Sequence, residues 1–360
     1  MIFSKVASLM IYLGVYTASS VCLHFSVKSA NKCFRALFYF FALLIAVLFA
    51  AIRYKVGTDY STYVSICKGL WKTSFAEIVA DFKFESTPFG VFVFAKIAQL
   101  FNSVEVFFLL FALAIFIPVS RVIIEYKDSV SVFLMSFAFL TTLYTTGFNI
   151  MKQAVAVSIS LYAVQSVFDR NPLKFAFWGV VACCFHPTAL IVFPIYFLGK
   201  TYDEKFRLSM GRVVLFIVGT IILLLIYPII LSSIGGRFED YLSNGGEGNN
   251  YTVILISLWF LLMLGFSNHL SEEDYRNALY IVLLFIGLLF ELLGFKSPYI
   301  KRVALYFLVF DIILIPQMVK IFAKQYESIM SFVVYLYYVL LFFVDFYLLQ
   351  HSNIIPFMVK

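Results

Sequence analysis

Long apolar runs, broken only by short polar clusters, constrain this chain more than any other feature. The clusters gather at the ends of the runs: Arg53-Tyr-Lys-Val-Gly-Thr-Asp-Tyr60, Asn149-Ile-Met-Lys-Gln153, Phe185-His-Pro187, Arg237-Phe-Glu-Asp-Tyr241 and Lys301-Arg302. Only 13% of the 360 residues are charged, against roughly a quarter in soluble domains. Most runs approach the length that crosses a hydrocarbon layer about 30 Å thick. The expected fold is therefore all-α: a polytopic integral membrane protein of about 12 transmembrane helices, with a polar working site at one membrane face.

The expected spans are 5–23, 36–52, 104–121, 129–147, 150–168, 172–185, 187–199, 211–233, 251–268, 277–294, 302–320 and 328–349. The first is read as a retained helix, because it has no small-residue cleavage site. Residues 1–360 are expected to form a single transmembrane domain. Within it, 53–86 is an external loop with a surface helix, 87–101 is either re-entrant or interfacial, and 232–250 is a Gly- and Asn-rich external loop. With Lys28, Lys32 and Arg35 cytoplasmic and 87–101 not spanning, every polar cluster falls on the opposite face. The basic loop 199–212 and the acidic loop 232–250 agree with that orientation.

The net charge of +7 comes without a basic run. It fits topology anchoring and contact with anionic membrane lipids, and argues against nucleic acid as a partner. Five cysteines form no CxxC, and four histidines lie far apart in the chain. Neither a disulfide framework nor a metal site is expected, and no cofactor. Glu291, Asp311 and Asp345 fall within or near spans, where charge is expensive.

Asn149, Lys152 and Gln153 share one face if helical, as do Arg237 with Tyr241 and Arg302 with Tyr306. Arginine offers a fixed fork of donors and lysine a mobile point charge, so converging faces of this kind suit phosphate oxygens.

In order and spacing, these clusters resemble the EpsG family of bacterial polysaccharide polymerases, related in role to the Wzy O-antigen polymerases. The residues that carry the resemblance are Ala51-Ile-Arg-Tyr-Lys-Val-Gly-Thr-Asp-Tyr60 with Tyr63, Phe148-Asn-Ile-Met-Lys-Gln153, Phe185-His-Pro-Thr-Ala-Leu190 and Arg302-Val-Ala-Leu-Tyr-Phe307. Lys152 stands where the family often has Arg, which keeps the charge and loses the bidentate fork.

The resemblance implies a multi-pass protein of the bacterial inner membrane, similar to multi-span lipid-dependent glycosyltransferases of the GT-C kind, working at the outer leaflet. Its substrates would be undecaprenyl-diphosphate-linked oligosaccharides, joined by transfer of the growing glycan to the non-reducing end of the next lipid-linked unit. A separate flippase and a chain-length regulator are implied as partners. On this view Arg53, Lys152, Arg237 and Arg302 neutralise the diphosphate leaving group. Asn149, Gln153, Tyr60, Tyr241 and Tyr306 orient substrate, and either His186 or Asp59 is the base for the acceptor hydroxyl. Two other functions share the same hydrophobicity: a lipid-linked oligosaccharide flippase or polysaccharide transporter, and a membrane acyltransferase acting on polysaccharide.

Overall fold

The computed structural model describes residues 1–80, 88–128, 130–202, 205–234, 250–293, 298–322 and 324–360. Helix α1 (Lys5–Lys28) starts at Ser4, whose hydroxyl accepts from the Ala7 N–H. Helix α2 (Lys32–Ala51) starts at Asn31, whose side chain accepts from Cys33 N–H. Such side-chain acceptors satisfy amides that lack an intrahelical partner. The two helices pack together, and Ser19 Oγ donates to Ala42 O across them at 2.7 Å.

Helix α3 (Tyr60–Lys72) and the short α4 (Phe75–Ala80) follow. Ser74 and Glu77 form a reciprocal capping box ahead of α4. Helix α5 (Phe89–Leu100) leads to α6 (Val104–Glu125), which continues through Pro118. Helix α7 (Val132–Phe139) passes into a π-helical turn, Leu140–Tyr144. Helix α8 (Met151–Phe168) and α9 (Pro172–Cys183) precede a 3-10 segment, Pro187–Phe197, and a two-stranded antiparallel hairpin, Gly199–Tyr202 with Lys205–Leu208. Further helices run Met210–Ile234, Asn250–Gly265, Ser267–Glu273, Asn277–Leu293, Pro298–Leu308, Asp311–Gln317 and Glu327–Phe342.

The chain divides into two compact units. The first comprises 1–162, 177–189 and 322–360. Its interior is aromatic: Tyr12, Tyr16, Phe49, Tyr144, Phe148, Phe342 and Phe357 are all buried. The tyrosine hydroxyls stay hydrogen-bonded there, Tyr16 Oη with Thr145 Oγ1 at 2.8 Å, Tyr144 Oη donating to Ala46 O at 2.8 Å and Tyr12 Oη donating to Ile354 O at 3.0 Å. An unpartnered hydroxyl in such surroundings would be costly.

The second unit comprises 163–176 and 190–321. Helices Asn277–Leu293 and Pro298–Leu308 pack closely: a Cβ on Gly287 would stand 2.7 Å from Leu308 Cδ2, and Phe290 stacks on Phe307 with centroids 5.5 Å apart. Asn277 donates to Leu270 O and to Gln317, and Tyr280 Oη donates to Gln165 Oε1 at 3.0 Å. Lys301 Nζ lies 4.0 Å from Glu291 within this unit, while Asp345 in the first unit lies 3.2 Å from the His351 ring.

The expectation of about 12 spanning helices is corrected by the helix lengths. Among the described residues, four helical stretches are long and apolar enough to cross a membrane: Lys5–Lys28, Lys32–Ala51, Val104–Glu125 and Lys324–Leu348. The number reaches six if two bent pairs each count as one span, Val253–Gly265 with Ser267–Glu273 at 76° and Ile300–Leu308 with Asp311–Ile321 at 45°. Several other apolar runs, such as Phe89–Leu100, Val132–Tyr144, Pro172–Cys183 and Pro187–Phe197, form helices of only 10–17 residues. Hydropathy reports apolar content and not where a helix ends: the run 129–147 yields only Val132–Tyr144 before the turn that leads to α8, and Pro187–Phe197 winds as a 3-10 segment through Pro194. Helices of that length more often bury their apolar residues inside protein than cross a bilayer. Likeness to the twelve-span transferase architecture goes with the correction.

Candidate functional site

The first polar motif leaves the C-terminus of α2 and turns at Gly57, whose φ of +95° favours glycine. The second motif occupies the turn that opens α8. Asn149 joins them: its Nδ2 donates to Thr58 Oγ1 at 2.8 Å, and its Oδ1 accepts from Asp59 N–H at 3.4 Å. A Cβ on Gly57 would meet Asn149 Oδ1 at 2.7 Å and Phe148 O at 3.2 Å. Lys152 N–H approaches Tyr63 Oη at 3.5 Å. Two segments about ninety residues apart in sequence therefore form one turn-on-turn contact.

Arg53 lies beneath that contact, 4% exposed. Its guanidinium carbon sits 4.3 Å from the Phe148 ring centroid and 4.8 Å from that of Phe108, so the cation lies between two π faces. Nη2 donates to Phe148 O at 3.2 Å and approaches Met151 Sδ at 3.2 Å. Burial pushes its pKa down to about 10, opposed by the phenols of Tyr12, Tyr144, Tyr60 and Tyr63. The group stays charged at neutral pH. Arg53 makes no ion pair with Asp59; its contacts are rings, a carbonyl and a thioether. The gap it borders, with Phe111, Tyr144 and Gly147, has room for about one water.

The third motif joins through aromatic contacts. Gly90 N–H donates to Cys184 O at 2.7 Å, and a Cβ on Gly90 would stand 2.8 Å from the Phe185 ring. Phe185 packs on Phe94 at 5.0 Å and Phe111 at 6.3 Å, and Phe111 in turn meets Tyr63 at 6.2 Å. His186 is half-buried, with Nδ1 2.6 Å from Thr188 Oγ1 and 3.4 Å from Thr188 N.

Of the residues expected to form a site, Arg53, Asp59, Tyr60, Asn149, Lys152, Gln153 and His186 all belong to the first unit. Asp59 and Lys152 are partly exposed; Gln153 is buried, and Tyr60 is buried in a stack on Phe108 at 5.0 Å. Arg302 is exposed and Tyr306 buried on helix Pro298–Leu308 of the second unit. Arg237, Tyr241 and most of the loop 232–250 lie outside the described residues.

Sequence reasoning missed the C-terminal segment. Tyr54 N–H donates to Met358 O at 2.8 Å, Gly57 N–H to Asn353 O at 3.2 Å and Thr58 N–H to Ser352 O at 3.0 Å. Arg53 and Val359 form an antiparallel bridge, and Phe357 stacks on Phe49 at 4.4 Å. The only hint in sequence is the short apolar Ile354-Ile-Pro-Phe357 after a polar break.

Long apolar helices with polar motifs at their ends, three of which pack around Phe111 in the first unit, define a helical, membrane-associated protein. The chain belongs to the EpsG family, whose model matches residues 36–359. No curated protein and no solved structure matches it.

Proposed function

We propose that the protein polymerises undecaprenyl-diphosphate-linked oligosaccharide repeat units for capsule, exopolysaccharide or O-antigen synthesis. Membership of the EpsG family along nearly the whole chain carries this reading. The assembly of the Arg53–Tyr63, Phe148–Gln153 and Phe185–His186 segments in one unit supports it. The site faces the outside of the bacterial inner membrane, and a flippase and a chain-length regulator act beside it.

In this proposal the lipid diphosphate leaves as the acceptor hydroxyl attacks. Lys152, partly exposed, offers a mobile charge to the leaving group. Arg302, and Arg237 outside the described residues, are proposed as further diphosphate-binding residues. Arg53 acts on the site from beneath, since its buried guanidinium holds Phe148 O and so the turn that carries Asn149 and Lys152. Asn149, Gln153, Tyr60, Tyr241 and Tyr306 are proposed to orient substrate, the buried ones by shaping its walls. The proton is taken by His186, whose ring is paired with Thr188, or by Asp59 beside the Gly57 turn.

The test uses purified protein in lipid vesicles with a lipid-diphosphate oligosaccharide and no nucleotide sugar. A product ladder spaced by one repeat unit, with release of the carrier diphosphate, is the expected result. Loss of the ladder in Asp59→Asn but not His186→Asn, or the reverse, names the base. Substrate that crosses the bilayer without lengthening would overturn the proposal in favour of transport.

A further inference from the structure

Beyond the motifs, α3 and α5 enclose a hollow of about 510 Å3 lined by Lys68, Gly69, Trp71, Lys72 and Gln99. Among the described residues, none that lines it is acidic. Both lysines are exposed at the last turn of α3, where basic side chains commonly serve as caps for unpaired carbonyls. Here three of those carbonyls are already satisfied. Gly69 O accepts from Thr73 Oγ1 at 3.4 Å, Leu70 O from Thr73 N–H at 3.3 Å, and Trp71 O from Lys96 Nζ at 2.9 Å. Lys96 Nζ also donates to Gln99 Oε1 at 3.0 Å, which commits the amide oxygen and leaves its NH2 as a donor. The side chains left to a ligand are two ammonium groups and an amide donor. Apolar side chains follow Gln99 at the same end of α5: Leu100 and Phe101 are 83% and 66% exposed.

We propose that this hollow binds the phosphate headgroup of an anionic phospholipid, with the acyl chains on Leu100 and Phe101, so that α3 and α5 lie at the membrane interface beside the site. The inference rests on the membrane-associated reading above and not on the polymerase chemistry. Charge complementarity identifies the occupant: a cationic rim over exposed aromatic and aliphatic side chains matches an anionic headgroup above hydrocarbon. Trp71 lines the hollow, with its Nε1 turned into the protein. The volume falls in the range of small-ligand sites, large enough for a phosphoglycerol group.

Trp71 is also the reporter. In a Trp178→Phe/Trp259→Phe background, full-length protein is placed in nanodiscs containing either brominated phosphatidylglycerol or brominated phosphatidylcholine, and Trp71 quenching is titrated. Each lysine near an anionic surface is worth roughly fivefold in lipid preference, so the pair gives roughly thirtyfold. Phosphatidylglycerol is expected to quench at the lower mole fraction, and Lys68→Gln/Lys72→Gln to remove the difference. Gly69→Leu keeps every charge and narrows the hollow, since an added Cβ at Gly69 meets nothing within 4 Å; it is expected to lower the preference with an unfolding midpoint no lower than that of the unchanged protein, and it carries the test if the double variant fails to fold. Equal quenching by the two lipids, or a preference that survives both variants, would overturn the proposal. So would phosphatidylglycerol failing to quench where a polyprenyl diphosphate succeeds. The glycan ladder is read separately, so failure here and failure of the polymerase reading are distinguishable.

Discussion

Gly57 and Asn149 fit so closely that a Cβ on the glycine would stand 2.7 Å from Asn149 Oδ1. The same Asn149 bonds Thr58 and Asp59, so this contact sets the register between the first two motifs. Gly57→Ala meets both the positive φ and the clash, and is expected to destabilise the protein by roughly 1–3 kcal/mol. Chemical denaturation in detergent measures it. Asn149→Ala in the same chain removes the clash and not the backbone strain, so the double variant should lose less than the sum of the singles. Strict additivity would mean that the two residues do not couple.

Arg53 is held by two rings and one carbonyl. Lysine keeps the charge but not the planar fork that stacks between aromatic faces. Arg53→Lys should therefore accumulate in the membrane at near-normal levels while glycan output falls about tenfold, as expected for displacement of a positioned group near the reacting centre. Output equal to wild type would remove Arg53 from the site.

Gly90 provides the flat surface on which the Phe185 ring rests. Gly90→Ala is expected to push Phe185, and His186 beside it, out of place, at a cost of about 1–3 kcal/mol for overpacking. Phe185→Leu added to Gly90→Ala should recover part of the lost thermal stability. A double variant no more stable than Gly90→Ala alone would place the strain elsewhere.

Phe357 stacks on Phe49 and carries the segment that bonds Tyr54, Gly57 and Thr58. Phe357→Ala is expected to cost about 3–5 kcal/mol and to expose the Arg53–Thr58 turn to limited proteolysis. An unchanged cleavage pattern would show that the tail does not secure that turn.

Cys67 is fully buried in α3, and burial pushes its thiol up to about 11, while Cys33 is exposed. A maleimide at pH 7.5 should label Cys33 quickly and Cys67 only after unfolding, as mass spectrometry of the peptides will show. The raised thiol binds its proton more tightly in the folded state. Its contribution to stability is therefore present below about pH 9 and lost as pH rises towards about 11. Rapid labelling of Cys67 in folded protein would contradict its burial.

The sequence alone determined what its chemistry makes local. Apolar runs too rich for a soluble domain demanded helices. The motifs around Arg53, Asn149 and His186 announced themselves because polar residues stand out against apolar ones, and their order pointed to the EpsG family. Gly57 was legible as a turn because a positive φ is a local preference of glycine, whereas its fit against Asn149 was not. Tertiary structure decided the rest. How many apolar runs become long straight helices depends on breaks such as the 76° bend between Val253–Gly265 and Ser267–Glu273 and the 3-10 path from Pro187, which hydropathy does not register. Arg53 reads as an anion-binding group in one dimension, yet its neighbours are Phe108 and Phe148, about fifty and ninety-five residues away in sequence. The pairing of Tyr54 and Thr58 with Met358 and Ser352 uses backbone groups that every residue type carries. Such contacts leave no side-chain signature, so only the folded chain reveals them.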